Sequence, residues 1–333
     1  MAYPNNATAT VKDTKAKLAT KYKMTNPGAA RQFLGIEIQG GGGGEISLCQ
    51  TAFVNSVLKR FRMENAHRES APIDAHVKLD LAESRGGREV NPKDYQVIVG
   101  SLMYIELATR PDISYAVSAL SRYNSCPFTS HLTAAKRVLR YLKTTAHHRL
   151  RFGGGSGSGS GSSGSSGGGG SSSGKFTGYT DSDWANDSKD RKSQGGHVFI
   201  VSGSAVSWQS RKQDLVAAST LEAEHMACSE APREARWLQQ LQRDIENQPD
   251  GHIGEPLPIY TYPQGALTHI TTGITKARTK HIDVCYHSNR DLHARAIVRY
   301  DYINANDNSA DILTKALPHE KHKNSTRAMG VRS

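Results

Sequence analysis

Residues 175–210 read KFTGYTDSDWANDSKDRKSQGGHVFIVSGSAVSWQS. Three apolar-rich runs stand out, KFTGYTDSD, GGHVFIVSG and SAVSWQS, separated by polar and glycine-containing punctuation, and the pattern predicts three successive short strands. A long helical pattern follows from about Thr220 to Ile245. After it come a strand in PLPIYTY (256–262), a helix over ARTKHIDVCYHSNRDLHAR (277–295), a strand in AIVRYDYIN (296–304) and a short helix near SADILTKAL (309–317). Strands first, then helices with later strands between them, predict an α/β layer built on a mixed sheet.

Upstream of this block, residues 152–176 read FGGGSGSGSGSSGSSGGGGSSSGKF. Such a stretch has no side chains able to offset the entropy of ordering, so it is expected to be a flexible tether. The text before it is mainly helical. Leu132, Ala135, Leu139 and Leu142 recur at helical spacing, while Lys136, Arg140 and Lys143 share another face. In TRPDISYAVSAL (109–120), Pro111 suits a first helical turn, Asp112 complements its dipole, and Ile113, Ala116, Val117 and Leu120 form the buried stripe. A glycine run, Gly40–Gly44, separates RQFLGIEIQ from EISLCQ and suggests a hairpin, a disordered insert being the other reading. The expected organisation is therefore a helical block over 1–152, a linker over 153–174, an α/β domain over 175–318 and a tail over 319–333.

The chain carries 42 Lys and Arg against 31 Asp and Glu, a net charge of +11 and a pI of about 9.4. This excess favours a polyanionic partner through attraction to phosphates and release of their counterions. Cys49, Cys126, Cys228 and Cys285 are too dispersed for the paired spacing of a structural zinc site. The opening MAYPNNATATVKDTKAK lacks the apolar segment of a signal peptide, and no apolar run reaches the length of a membrane span. A reduced intracellular chain, in cytoplasm or nucleus and without a membrane partner, is the expectation. Trp184, Trp208 and Trp237 are read as core residues.

Against that basic background, YTDSDWAND (179–187) concentrates three aspartates. Alternate residues of a strand share a face, so Asp181 and Asp183 project together and repel each other unless solvated or bound to a cation. Spacing alone leaves a solvated acidic cluster open. Further carboxylates lie in STLEAEHMA (219–227), where Glu222 and Glu224 point about 200° apart on a helix so that one of them faces a common site. Others lie in NDNSADILTK, where Asp311 starts a helix behind Asn306 and Asp307. Oxygen donors without His or Cys would select Mg²⁺ or Mn²⁺, and a pair of such ions can activate water against a phosphodiester.

The order of motifs is itself informative. FLGIEI, Pro72 to Asp74 before Lys78 and Leu79, VGSLMYIELATRPDISYAVSALSRY and AAKRVLRYLKTT precede the tether; GYTDSDWAND, RKSQGGHVFIVSG, VSWQSRKQ, STLEAEHMA, ARTKHIDVCYH and ADILTK follow it. Over nearly its whole length the chain resembles the C-terminal part of the Pol polyprotein of copia-type LTR retrotransposons, ending in the ribonuclease H domain. The resemblance implies an RNase H-like mixed five-stranded sheet with flanking helices, preceded by a smaller, mainly helical region like the thumb or connection of a reverse transcriptase. It implies an RNA–DNA hybrid, or another nucleic acid, as partner, together with full-length Pol, and Mg²⁺ or Mn²⁺ as cofactor. Asp181, Glu224 and Asp311 match three of the family's four metal-binding carboxylates. The fourth falls where the family reads Asp-Asn-Gln, and this chain has Tyr262, Pro263 and Gln264. A phenol is neutral at pH 7 and a poor ligand for a hard cation. The expectation is a preserved fold with impaired hydrolysis; the alternative is an active Mg²⁺-dependent endonuclease cutting the RNA strand of hybrids, with Asp181, Glu224 and Asp311 holding the metal, and the sequence leaves open Asp183 and Glu222 as substitutes for the fourth carboxylate. The polymerase's hydrophobic-Val-Asp-Asp motif does not precede FLGIEI, so polymerisation by this chain alone is not expected. Lys280 and His281 are read as a helix-surface pair or as contacts to a substrate phosphate.

Overall fold

The computed structural model describes residues 7–23, 28–41, 44–77, 79, 87–153, 174–246, 255–262, 267 and 283–333. The Gly/Ser stretch, Pro263, Gln264, Lys280 and His281 lie outside the described residues.

The first block opens with helix α1 (Ala7–Lys21). Strands β1 (Gln32–Phe33), β2 (Ile36–Gly40) and β3 (Ile46–Cys49) follow. Gly40 pairs with Ile46 and Glu37 with Cys49, so the hairpin read around the glycine run is formed. Four helices come next: α2 (Thr51–Arg60), α3 (Pro92–Thr109), α4 (Ser114–Ser121) and α5 (Thr129–Thr144). Helix α3 begins as its sequence dictates, with Pro92 in the first turn and the Asn91 side chain accepting from the Lys93 amide. The apolar stripe of α5 is buried at Ala135, Leu139 and Leu142, against Leu102 and Ile105 of α3 and Ile113 and Leu120. Strand β4 (Arg149–Phe152) closes the block.

The second block is the α/β layer. Strands β5 (Thr177–Asp183), β6 (Gln194–Val201) and β7 (Ser204–Lys212) form an antiparallel meander. Helix α6 (Thr220–Glu246), strand β8 (Leu257–Thr261), helix α7 (Asp283–Ala294) and strand β9 (Val298–Tyr302) follow. The sheet order is β7-β6-β5-β8-β9. The pairs β5–β6 and β6–β7 are antiparallel, whereas β5–β8 and β8–β9 are parallel. Three meandering strands with two parallel strands added beside the first, the connection to the first of them carrying the long helix, make the RNase H-like sheet. Helix α6 covers one face through Cys228, Ala231, Ala235 and Leu238, packed on Phe199, Ile259 and Tyr300.

Two findings go beyond the sequence reading. The short helix expected in SADILTKAL is a single 3₁₀ turn, Asp311–Leu313. The segment read as a tail, 319–333, forms helix α8 (His319–Ala328) and strand β10 (Val331–Arg332). Strand β10 pairs antiparallel with β4, completing a second five-stranded sheet in the order β1-β2-β3-β4-β10. Met329 and Val331 are buried with Leu150 of the first block and Val198, Ala205 and Leu313 of the second. The two blocks thus share a core cluster. Trp184 and Trp237 depart from the core expectation: they are 44% and 56% exposed. Among the described residues no helix is long and apolar enough to cross a membrane.

Candidate carboxylate site

The site forms where the end of β5, the first turns of α6 and the 311–313 turn meet. Asp181 lies on β5 opposite Gly196 of β6. A Cβ at Gly196 would stand 2.7 Å from the Leu313 Cβ, so the missing side chain is what lets the Asp311 turn lie close against the sheet. Asp181, Glu224 and Asp311 are all buried, at 5%, 3% and 2% exposure. The sequence-predicted three are therefore brought to one region, each from a different element.

Their charges are not equally compensated. The Asp181 carboxylate accepts a hydrogen bond from Thr314 Oγ1, and Lys315 Nζ stands 3.5 Å from its Oδ2. Lys315 also lies 2.9 Å from Asp311 Oδ1, and Lys321 donates to Asp311 Oδ2. One ammonium thus bridges two aspartates and a second closes Asp311. Burial works against ionised Asp311, yet its two lysines outweigh it and hold the group below the usual carboxylate range. Burial pushes Asp181 up to about 7, Lys315 opposing and the Asp311 charge assisting. Glu224 is pushed up to about 8 by burial and by Asp181 beside it, and its Oε2 has no hydrogen-bond partner.

The other acidic candidates are engaged locally. Asp183 accepts from the Asn186 side chain and is raised by burial. Glu222 accepts from the Ala218 amide at 2.6 Å, as a residue at a helix start does. Tyr262, at the end of β8, is 47% exposed with its ring centroid 6.2 Å from that of Tyr302. Strands β5 and β8 pair in parallel, with Gly178 opposite Ile259 and Tyr179 opposite Tyr260, and Tyr262 follows the last residue of β8.

Asp181, partly answered by Lys315 and Thr314, and Glu224, whose Oε2 has no hydrogen-bond partner, could together hold one hard cation. The arrangement does not fit two. Asp311 is turned to its lysines, Tyr262 supplies no charge, and among the described residues no group of three or more His, Cys, Asp or Glu could hold a metal ion. The residues missed by sequence reasoning are Thr314, Lys315 and Lys321. Lys315 carried a legible signal, since it lies four residues after Asp311 on a helical pitch.

A family model described as reverse transcriptase (RNA-dependent DNA polymerase) matches residues 3–75. The retrovirus-related Pol polyprotein from transposon TNT 1-94 of Nicotiana tabacum is 35% identical over 326 residues, 96% of this chain and 23% of that one. The corresponding polyprotein from transposon RE2 of Arabidopsis thaliana is 31% identical over 98% of this chain and 21% of its own length. The chain belongs to the copia-type retrotransposon Pol family. It spans less than a quarter of the length of these Pol relatives. Among solved structures, LC11-RNase H1 in complex with RNA/DNA hybrid aligns at 14% identity over 42% of this chain and 94% of that one, with a TM-score of 0.31.

Proposed function

We propose that this Pol segment binds RNA–DNA hybrid through its RNase H-like domain and that its hydrolytic centre is impaired. The observation that carries the reading is that β8, the parallel neighbour of the Asp181 strand, reads LPIYT and is followed by exposed Tyr262, so it brings no carboxylate to the buried pair. The lysines support it, because Lys315 and Lys321 occupy the charge of Asp311 and part of that of Asp181. Asp181 and Glu224 would hold a single Mg²⁺ or Mn²⁺, which when bound supplies charge neutralisation at a phosphate and lowers the pKa of its water. The chain's own residues then do the rest. Thr314 orients Asp181, and Gly196 lets the turn that carries Thr314 approach. Binding itself draws on the basic surface, which meets phosphates without reading sequence.

The alternative, an active endonuclease, is favoured by one feature, the unpaired Glu224 Oε2. Melting in Mg²⁺ or Mn²⁺ separates the parts of the proposal. A weak single site at millimolar metal is expected to stabilise the chain by roughly 1 kcal/mol, or about 2–4 °C, and Glu224→Gln should abolish the shift. A shift that survives Glu224→Gln would mean that Asp181 and Glu224 are not the donors. Hybrid binding that weakens steeply with salt in the absence of divalent cation is the accompanying result, and salt-independent binding would contradict it.

A further inference from the structure

The outward face of α6 carries a second feature, well away from the carboxylates. Arg233, Arg236 and Arg243 recur at helical spacing with Trp237 between them, and with Arg295 from the turn after α7 they line an open groove of about 630 Å³. Arg236 lies about 18 Å along the helix from Glu224, at about 1.5 Å per residue. The groove is unusual in its charge. Arg295 is 3.3 Å from Asp291, but among the described residues Arg233, Arg236 and Arg243 form no ion pair. Trp237 is 56% exposed, more than Trp184 at 44%, whose indole N–H is already spent on the Ala217 carbonyl. Gln239, also in the groove lining, fixes the floor: its Nε2 donates to the Ile297 carbonyl at 2.9 Å.

A stripe of guanidiniums without counterions, flanking an exposed indole, is chemically matched to a phosphodiester chain with unstacked bases. Guanidinium forks take phosphate oxygens, and an aromatic face accepts any base. From Arg233 to Arg243 the helix rises about 15 Å, room for two or three consecutive phosphates of a strand.

We infer that the groove between α6 and the α7–β9 turn, built on Arg233, Arg236, Arg243, Arg295 and Trp237, is a binding site for single-stranded nucleic acid, separate from the carboxylate site. The inference rests on the proposed reading of the domain as a nucleic-acid binder and adds a second subsite to it. Its role is to hold the strand that is not paired in the hybrid, by backbone charge and stacking and without sequence preference.

The test is anisotropy titration of the full chain with a labelled 15-nucleotide single strand and with a hybrid of the same length, in EDTA so that no cation contributes. Arg233→Gln/Arg236→Gln/Arg243→Gln is expected to weaken single-strand binding at least tenfold and to reduce the salt slope by about 2. Trp237→Ala should cost about tenfold without changing that slope. Lys59→Gln/Arg60→Gln/Lys93→Gln, the same loss of charge on the first block, should change neither. Undiminished single-strand binding by the triple arginine variant, or an equal loss in the control, would overturn the groove. If the hybrid still bound in that case, the hybrid-binding reading would stand alone; no binding of either by the unaltered chain would overturn both. A polyglutamate chain that binds as tightly as the oligonucleotide and is equally sensitive to Trp237→Ala would reassign the groove to an acidic protein and overturn the nucleic-acid assignment.

Discussion

Burial raises the Asp181 and Glu224 carboxyls, with the Asp311 charge adding to it at Asp181 and the Asp181 charge at Glu224. The consequence for stability has a definite sign. In the unfolded chain both titrate near pH 4, whereas in the folded chain they hold their protons to about 7 and about 8, so the folded state binds more protons between those limits. Their cost is absent below about pH 4 and grows as pH rises through that window. Glu224→Gln is therefore expected to stabilise the chain by about 1–3 kcal/mol at pH 9 and to change it little at pH 5, as read from urea unfolding midpoints. Equal effects at the two pH values would contradict this account. Motif order made Asp181, Glu224 and Asp311 candidates for one region and the i+4 spacing pointed to Lys315, but Lys321, ten residues beyond Asp311, was not legible, because ion pairing across a turn leaves no periodic signal. Asp112 shows the same limit. Read as a helix-dipole partner, it forms a fully buried bidentate pair with Arg110, at 2.9 and 2.8 Å, joined by the Tyr141 hydroxyl at 2.6 Å. Both partners were in plain view in TRPD, but only tertiary burial makes the pair obligatory.

Strands and helices of the α/β layer were readable because their apolar alternation and helical stripes are local. The last two elements were not. Helix α8 has few apolar residues of its own, and β10 is two residues long, so neither has a pattern to detect. What orders them is long-range. The Ala205 amide donates to the Met329 carbonyl at 2.9 Å, and the Arg151 amide to Gly330 at 3.1 Å. Gly330 has φ +79°, and a Cβ there would lie 2.6 Å from the Gly203 carbonyl oxygen, so the turn into β10 requires glycine. His322 meets the Asp112 carbonyl at 3.0 Å, tying α8 to the buried ion pair. Ending the chain at Pro318 would uncover β4 and remove buried Met329 and Val331, an expected loss of about 3–6 kcal/mol. Thermal melting of the shortened chain checks it. An unchanged midpoint would show that the segment is dispensable.

At the scale of the molecule, two blocks joined by a Gly/Ser stretch nevertheless form one packed body. Trp208 donates to Glu106 at 3.1 Å, Gln194 to Ser118 at 3.2 Å, and Arg122 lies 3.4 Å from Asp187, all between the blocks. A linker marks where the chain can be lengthened, and composition alone does not reveal that the parts it separates share a core. All five strands of the sheet that carries the carboxylates are formed, and the proposed impairment rests on one position at a strand end, Tyr262. The most direct measurement is cleavage of a labelled RNA–DNA hybrid in Mg²⁺ or Mn²⁺ by the native chain, by Tyr262→Asp and by Tyr262→Asp/Asp181→Asn. The account predicts that only Tyr262→Asp cuts, with activity at least 10²-fold above the other two, on the order of one lost charge-stabilising group. Cutting by the native chain at the rate of Tyr262→Asp would show that three carboxylates suffice and would contradict the account.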